Sequence, residues 1–160
     1  MDKSIDGIDA TILTILQLDA RTSNAEIARR VEMAPSAVLE RIRKLEARGV
    51  LEGYEARVRP EAVDRGLLAY ILVKTDEPYG SSQAGAALAA IPEVQEVHNV
   101  TGEYCYLVKL RASDPETLGR FCREKIGAIG SILSTNTTIV LGTLKETSTL
   151  PLDGDPGADS

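Results

Sequence analysis

The chain has little of what small catalytic and metal-binding sites require. Its 160 residues include one histidine, two cysteines, no tryptophan and one phenylalanine. The two cysteines, Cys105 and Cys122, lie far apart in the sequence, and a single histidine cannot complete a metal site with them. We therefore predict free, reduced thiols that serve as small hydrophobic residues, an aliphatic core, and neither metal nor cofactor.

Long apolar runs are also missing. No stretch approaches the roughly 18 apolar residues that cross a membrane. The first residues, Met-Asp-Lys-Ser-Ile-Asp, lack the apolar segment of a signal peptide. The sequence thus predicts a cytoplasmic protein with no membrane partner. It also lacks a nucleophile motif and a phosphate-binding glycine loop, so we expect that the protein is not an enzyme.

The chain as a whole has no net positive charge, but one segment of it does. The formal net charge is −6. Residues 61–160 carry 8 Lys/Arg and 14 Asp/Glu, whereas residues 1–60 carry 10 of each kind. Within 29–59 there are 8 basic and 5 acidic residues. Because a phosphate contact needs a local basic patch and not a basic protein, nucleic-acid binding around 29–59 is compatible with this composition.

The chain does contain a helix-turn-helix pattern between Ser23 and Gly49. Ser23 and Glu26 form a capping box, in which each side chain satisfies a free backbone N–H at a helix start. A joint at 32–34 leads to Pro35, which suits the first turn of a second helix. Gly49 suits the position just past the end of that helix, where a positive φ is needed.

The second helix of this pattern separates its residues by face. Val38, Ile42 and Leu45 form an apolar stripe, while the exposed side begins with small residues and continues with cations. Small residues allow close approach to base edges in the major groove, and Arg and Lys reach bases or phosphates. We predict DNA contacts from Ser36, Ala37, Glu40, Arg41, Arg43 and Lys44. Two alternatives stay open: a basic face that is only solvated, and an Arg41 that is partly structural and bridges this helix to its neighbours.

The residues before this motif complete a trihelical unit. Apolar spacing predicts a helix from about Asp6 to Leu18, with Asp6 as its N-cap. We assign residues 1–52 to a winged-type helix-turn-helix domain. Residues 53–66 are predicted to be a linking strand and hinge, the strand ending at Pro60.

Two arginines share one face of the predicted linking strand. Arg57 and Arg59 alternate with apolar residues there. They could form a wing on DNA or simply the solvent face of an edge strand.

The remaining chain alternates between strand and helix patterns in the order β-α-β-β-α-β. Strands are predicted at 67–74, 94–100, 104–110 and 134–141, and helices at 82–91 and after a capping box at Ser113. This is the split βαβ, or ferredoxin-like, arrangement, with two helices on one face of a four-stranded sheet. Its other face needs a cover, for which self-association is the simplest solution. The fold class is therefore α+β, with a sensor domain at 67–150 and a disordered acidic tail at 151–160.

Taken in order, several short motifs resemble those of the Lrp/AsnC family of transcriptional regulators. They are Ile8-Asp9, Asp19-Ala20-Arg21, Ala25–Ala28, Arg41–Leu51, Gly53-Tyr54, Val100–Tyr104 and Thr138–Leu141. The resemblance implies a sequence-specific regulator that binds double-stranded DNA, dimerises through its C-terminal sheets and assembles further, often to octamers. It also implies a small-molecule effector, usually an amino acid, that shifts assembly or DNA affinity.

The resemblance also implies where the effector binds. The corresponding residues are Thr101, Gly102, Glu103, Tyr104, Cys105, Ser134, Thr135, Asn136 and Thr137. A glycine lets backbone N–H groups approach a carboxylate closely, and hydroxyls supply adaptable donors and acceptors. A plain β-turn at Thr101-Gly102 is the alternative.

Three positions depart from the family pattern. Cys105 stands where an acidic residue is common, so another effector, no amino acid at all, or a redox role of this thiol stays open. Glu32 stands where glycine is usual, at an expected cost of roughly 1 kcal/mol for a left-handed φ. Ala34 replaces a usual serine cap, which forfeits about 1 kcal/mol. The alternative function is a small-molecule-binding oligomerisation module that does not bind DNA.

Overall fold

The computed structural model describes residues 5–78 and 80–152. Within them the chain divides into two compact units, the first drawn from Met1–Arg57 with Lys145–Ser160 and the second from Val58–Leu144. We call these the helical unit and the sheet unit. No helix in the described part of the chain has the length and apolar character needed to cross a membrane.

The helical unit contains the three expected helices, α1 (Gly7–Leu18), α2 (Asn24–Arg30) and α3 (Pro35–Ala47). The Asp6 carboxylate accepts the Asp9 N–H at 2.7 Å, and the Ser23 hydroxyl accepts the Glu26 N–H at 3.2 Å, so both predicted N-caps are confirmed. The helices pack on an aliphatic core of Ile12, Ile15, Leu16, Ile27, Ala28, Val38 and Ile42.

The joint between α2 and α3 has the backbone that the sequence predicts. Glu32 adopts a left-handed φ of 54°, and Gly49 follows α3 with a φ of 65°. Ala34 is the N-cap of α3 without a side-chain hydrogen bond, and Pro35 occupies the first turn. Glu32 therefore carries the backbone strain that a glycine would avoid.

The linking strand predicted within residues 53–66 does not form within the described chain. Residues 52–59 make no strand pairing within the described chain, and a 3-10 turn covers Pro60–Val63. Alternation alone cannot form a strand, because a strand needs a neighbour to pair its backbone groups. A side-chain bond holds part of the segment instead: the Tyr54 hydroxyl donates to Glu46 at 2.9 Å. Burial, together with this carboxylate, raises the pKa of Tyr54 to about 12.

The sheet unit has the predicted ferredoxin-like order. Its elements are β1 (Leu67–Thr75), α4 (Gln83–Ala89), β2 (Val94–Asn99), β3 (Tyr106–Ala112), α5 (Pro115–Phe121), a π-helical turn (Cys122–Ile126) and β4 (Ile132–Ile139). The strands pair antiparallel in the order β2-β3-β1-β4. The observed elements lie within about three residues of the predicted ones, as is usual for element boundaries.

The two central strands, β1 and β3, alternate between a buried and a half-buried face. The buried face and the two helices form one core: Ala69, Ile71, Val73, Ala84, Leu88, Tyr106, Val108, Leu110, Ala112, Leu118, Phe121 and Ile126. On the opposite face Tyr70, Leu72 and Leu107 remain partly exposed. We call this opposite surface the open sheet face.

Two predicted details of the sheet unit need correction. The cap of α5 is Asp114 and not Ser113: the Asp114 carboxylate accepts the Thr117 N–H at 2.8 Å, because Pro115 opens the helix directly after it. Hydrogen bonds from Ser113 and Thr117 lower the pKa of Asp114 to about 2. Thus Ser113 supports the cap but is not itself the cap.

The end of the chain also differs from the predicted division. Residues 145–150, assigned to the sensor domain by sequence, cluster with the helical unit. Of the predicted disordered tail, Pro151 and Leu152 line a cavity at the start of α1. Residues 153–160 lie outside the described part of the chain.

Candidate functional site

The exposed face of α3 carries most of the predicted DNA-contact residues. Ser36, Glu40, Arg43 and Lys44 are exposed, and Ala37 is half-buried. The opposite side, with Val38, Ile42 and Leu45, is buried. The helix therefore presents a polar face that starts with small side chains at its N-terminal end, as expected for a helix that enters a major groove.

Arg41 differs from the other residues of this face because it is bound within the unit. Its Nη1 donates to Asp6 Oδ2 and to Asp9 Oδ1, each at 2.7 Å. The bond to Asp6 is the main cause of a raised Arg41 pKa, with Asp9 next. The backbone N–H of Asp9 and the Arg41 guanidinium together lower the pKa of Asp6. Arg41 thus bridges α3 to the start of α1, which is the structural role that sequence analysis left open.

Lys44 and Glu40 form an ion pair of a different kind. Their charged atoms are 2.7 Å apart on successive turns of α3, and both side chains are 67% exposed. The hydrogen bond from Lys44 lowers the pKa of Glu40. Such exposed pairs contribute little to folding, so Lys44 can exchange its carboxylate partner for a phosphate at small cost.

The predicted effector loop lies at one end of the sheet, beside β1. Gly102 has a φ of 115°, which only glycine adopts readily. Glu103 pairs with Lys74 of β1 at 3.3 Å, and the Cys105 N–H donates to the Val73 carbonyl at 2.8 Å. Hydrogen bonds from Thr75 lower the pKa of the Cys105 thiol.

The predicted effector residues of β4 are exposed and divide between the two faces of the sheet. Ser134 and Asn136 pair with Lys74 and Leu72, which places them on the open sheet face. Thr135 and Thr137 pair with Val73 and Ile71, which point toward the helices. Since β1 separates β4 from β3, the loop and β4 lie about 10 Å apart, or two strand spacings.

Sequence reasoning missed the residues that join these pieces. Lys74 and Thr75 contact the effector loop from β1, and only strand register could have revealed them. Asp6 and Asp9 were read as helix-start residues, and their spacing gave no sign that Arg41 would bind both. No three metal-binding side chains come together within 5–78 and 80–152.

Both parts of the chain match known family models. Residues 5–46 match the AsnC-type helix-turn-helix domain, and residues 68–150 match the Lrp/AsnC ligand binding domain. The chain belongs to the Lrp/AsnC family. The resemblance found in the sequence motifs is thereby confirmed, and so is the α+β fold of a helix-turn-helix domain followed by a ferredoxin-like domain.

Individual relatives of this family cover nearly the whole chain. The HTH-type transcriptional regulator FL11 of Pyrococcus horikoshii is 40% identical over 148 residues, which are 92% of this chain and 97% of that protein. The leucine-responsive regulatory protein of Salmonella typhimurium is 34% identical over 150 residues, 92% of each chain. Among solved structures, a Neisseria meningitidis transcriptional regulator in complex with L-methionine superposes with a TM-score of 0.88 at 30% identity, covering 94% of this chain and 98% of that one.

These relatives decide between the function classes considered. They are transcriptional regulators, so the prediction of a regulator and not an enzyme is confirmed. The protein is a transcriptional regulator with a helix-turn-helix domain for DNA and a second domain for a ligand.

Proposed function

We propose that this regulator reads DNA with the exposed face of α3, using Ser36, Ala37, Glu40, Arg43 and Lys44 as contacts and Arg41 chiefly as a positioning residue. The exposed, partly cationic face of α3 on a packed trihelical unit is the observation that carries the proposal. Ser36 and Ala37 stand where the helix would approach base edges. Arg43 and Lys44, further along, suit phosphates.

Self-association is the second part of the proposed function. Tyr70, Leu72 and Leu107 leave apolar surface partly exposed on the open sheet face. A second copy of the chain would cover it and form a dimer that presents two α3 helices to half-sites one DNA turn or a multiple apart. Further assembly, up to an octamer, would add avidity. The location of such a protein is the cytoplasm, where its DNA is found.

An amino acid is the proposed effector. The Neisseria meningitidis structure is a complex with L-methionine, and so is that of a feast or famine regulatory protein from Mycobacterium tuberculosis, which is 32% identical with a TM-score of 0.85 over 92% of this chain and 99% of that one. Here Gly102, Lys74 and Glu103 offer backbone N–H groups, a cation and a carboxylate at one sheet end. These groups complement the carboxylate and ammonium of an amino acid.

A mobility-shift titration tests the DNA part. Labelled duplex from upstream of the gene for this protein is titrated at two salt concentrations, with unlabelled random duplex as competitor. We expect saturable retardation that survives the competitor and weakens as salt rises. Absence of retardation at micromolar protein and low salt would favour a ligand-binding oligomer that does not use DNA.

The effector site can be tested separately on each face of β4. The double variants S134A/N136A and T135V/T137V each remove polar groups from one face of the same strand. L-methionine binding is measured by calorimetry for both, with the mass of the assembly followed by light scattering. Loss of binding in one variant alone identifies the face that holds the effector. Unchanged binding in both would remove β4 from the site.

A further inference from the structure

The chain passes between the helical unit and the sheet unit twice. The helical unit takes its residues from both sides of the sheet unit, so one crossing follows Arg57 and the other precedes Lys145. The two crossings are joined within the helical unit, where the Arg57 Nη2 donates to the Glu146 carbonyl at 3.0 Å. Domains of one chain move relative to each other by default unless a large interface holds them. A second connection that is bonded to the first restricts such motion.

The residues after the second crossing are held on α1 by a single side chain. We define the C-terminal strap as residues 145–152. Gln17 of α1 binds both backbone groups of Leu150: its Oε1 accepts the Leu150 N–H at 2.7 Å, and its Nε2 donates to the Leu150 carbonyl at 3.0 Å. A change at Gln17 therefore removes both of these bonds at once.

The strap ends beside the residues that hold α3 to α1. Pro151 and Leu152 line a cavity of about 380 Å³ together with Asp6 and its neighbours at the start of α1. The Asp6 carboxylate also binds Arg41 of α3 at 2.7 Å. The end of the docked strap thus lies next to an ion pair of the proposed reading helix.

The other end of the strap follows closely on the strand that carries proposed effector residues. β4 ends at Ile139, and the next residue is still bonded to the sheet, because the Val140 N–H donates to the Leu68 carbonyl at 2.9 Å. Only residues 141–144 lie between this bond and the strap. So short a connection has little slack, so a displacement of β4 reaches the strap.

The strap is docked by a few contacts at the surface. Residues 145–151 are exposed, and the Leu150 side chain is 68% exposed. Segments with few buried apolar contacts open locally at low free-energy cost. The strap therefore has two accessible states, docked and released, and the helices beneath it stay folded in both.

We propose that the C-terminal strap transmits effector binding at β4 to the DNA-reading helix. An effector that binds one strap state better than the other shifts the strap toward that state. The shift reaches α3 through the start of α1, where Asp6 binds Arg41. The inference rests on the proposed function, namely an amino-acid effector at β4 and DNA reading by α3.

Three full-length variants test this transmission. Gln17→Ala removes both bonds to Leu150, whereas Gln17→Glu keeps the acceptor for the Leu150 N–H and loses the donor. Thr11→Ala is the matched control on α1, because the Thr11 hydroxyl donates to the Gly7 carbonyl within that helix.

Four measurements are made on each variant and on the wild type. Hydrogen–deuterium exchange of peptides covering 145–152 reports strap docking. Mobility-shift titration gives the dissociation constant for upstream duplex with and without saturating L-methionine. Calorimetry gives the dissociation constant for L-methionine with and without duplex, and light scattering gives the mass of the assembly.

The wild type should show reciprocal coupling. L-methionine should change the dissociation constant for DNA by about fivefold or more, and DNA should change that for L-methionine by the same factor. Gln17→Ala should still bind both ligands, but both factors should fall below about twofold. A merely structural role of Gln17 would instead change DNA affinity equally with and without L-methionine and leave the coupling factor as it is.

Strap exchange should follow the same order as the coupling. Gln17→Ala should accelerate exchange of 145–152 about fivefold or more, since two hydrogen bonds are lost. Gln17→Glu should lie between Gln17→Ala and the wild type in both exchange and coupling. Thr11→Ala should match the wild type in both.

Three results for Gln17→Ala would overturn the transmission: a strap that exchanges at the wild-type rate, a wild-type coupling factor despite faster exchange, and a loss of coupling that occurs only with a changed assembly mass. The last would mean that the effector acts through assembly. A wild type that binds both DNA and L-methionine without coupling would overturn this inference alone. A wild type that fails to bind DNA or L-methionine would overturn the proposed function, and the inference with it.

Discussion

The helical unit and the sheet unit place their candidate functional residues in opposite ways. In the helical unit the proposed DNA-contact residues are neighbours in sequence, on one helix of 13 residues from Pro35 to Ala47. In the sheet unit the proposed effector residues come from a loop at 101–105 and from β4, with β1 between them. A surface on one helix needs only that helix to be oriented, whereas a site assembled across strands needs the register of three.

The two units also stabilise these residues differently. Arg41, Asp6 and Asp9 tie α3 to α1 by charge, over 32 to 35 residues of sequence. In the sheet unit, backbone pairing and an aliphatic core hold β1 and β3. The proposed reading helix is therefore held by ion pairs at its edge in addition to its buried apolar face, whereas the proposed effector strands are held by backbone pairing and the core beneath them.

Truncating a buried core side chain in one unit at a time should have the largest effect, and it tests whether the two units are stabilised independently. Ile27 and Ile71 are both fully buried, one in each core. Ile27→Ala and Ile71→Ala should each cost about 2–5 kcal/mol of unfolding free energy in their own unit. Hydrogen–deuterium exchange of peptides from 24–47 and from 67–75 measures the two losses in the same sample.

The outcome tests whether the units are separate cooperative blocks. We expect Ile27→Ala to abolish DNA retardation but preserve L-methionine binding. Ile71→Ala should abolish L-methionine binding but preserve DNA retardation. If either variant accelerates exchange equally in both peptides, the two units unfold together and are not stabilised independently.

A glycine in the sheet unit tests how tightly its helix layer packs. A Cβ added to Gly85 in α4 would lie 2.6 Å from Cε1 of the buried Tyr106 ring. Gly85→Ala should therefore destabilise the sheet unit by about 1–3 kcal/mol, despite the better helix propensity of alanine. Chemical denaturation followed by tyrosine fluorescence measures the change.

Gly53→Ala in the helical unit is the control for this substitution. No atom lies within 4 Å of a Cβ built there, and Gly53 has no positive φ. Its unfolding free energy should change by less than about 0.5 kcal/mol. A Gly85→Ala variant as stable as wild type would mean that Tyr106 moves aside and that the layer packs loosely.

Arg41 and Lys44 differ in a way that separates positioning from DNA contact. Arg41→Ala leaves Asp6 and the buried Asp9 without their cation. This should lower the unfolding free energy of the helical unit by about 1–2 kcal/mol, a modest loss because solvent partly screens these charges. Lys44→Ala breaks only an exposed pair, worth about 0.5 kcal/mol or less. Urea titrations of the full chain measure both losses.

The same two variants are compared on DNA at several salt concentrations. Both should weaken binding, but only Lys44→Ala should lower the slope of log K against log salt by about 1, as expected when one phosphate contact is lost. A lower slope for Arg41→Ala with unchanged stability would show that Arg41 releases its carboxylates and contacts phosphate directly.

Local patterns explain why so much of the fold could be predicted. The capping box at Ser23, the left-handed Glu32 and the positive φ of Gly49 depend only on residues a few positions away. The linking strand predicted within 53–66 does not form within the described chain, because strand pairing is not a local property. The partners of Arg41 and the hydrogen bonds between the Gln17 side chain and the Leu150 backbone were missed for the same reason, since 32 and 133 residues separate these pairs.

The candidate sites followed the same division. The exposed residues of α3 came directly from helical periodicity, with Arg41 as the one residue whose role depends on distant carboxylates. For the effector site, family motifs placed the loop and β4. They did not show which of Ser134 and Thr135 points toward the helices, because this depends on the register between β1 and β4.

The smallest expected effect concerns the two thiols, which share the sheet unit but not the same surroundings. Hydrogen bonds from Thr75 lower the pKa of Cys105, whereas burial raises the pKa of Cys122. Because the thiolate is the reactive form, Cys105 should be alkylated by iodoacetamide several times faster near neutral pH. Peptide mass spectrometry after short exposures measures the ratio. Thr75→Val should slow alkylation of Cys105 and leave Cys122 unchanged, since Thr137 and not Thr75 is the hydroxyl that bonds to Cys122.

Equal alkylation rates of the two cysteines in the wild type would mean that solvent access, and not thiolate fraction, controls both. If L-methionine then protected Cys105 but not Cys122, the loop end of the sheet would be identified as the part that the ligand covers.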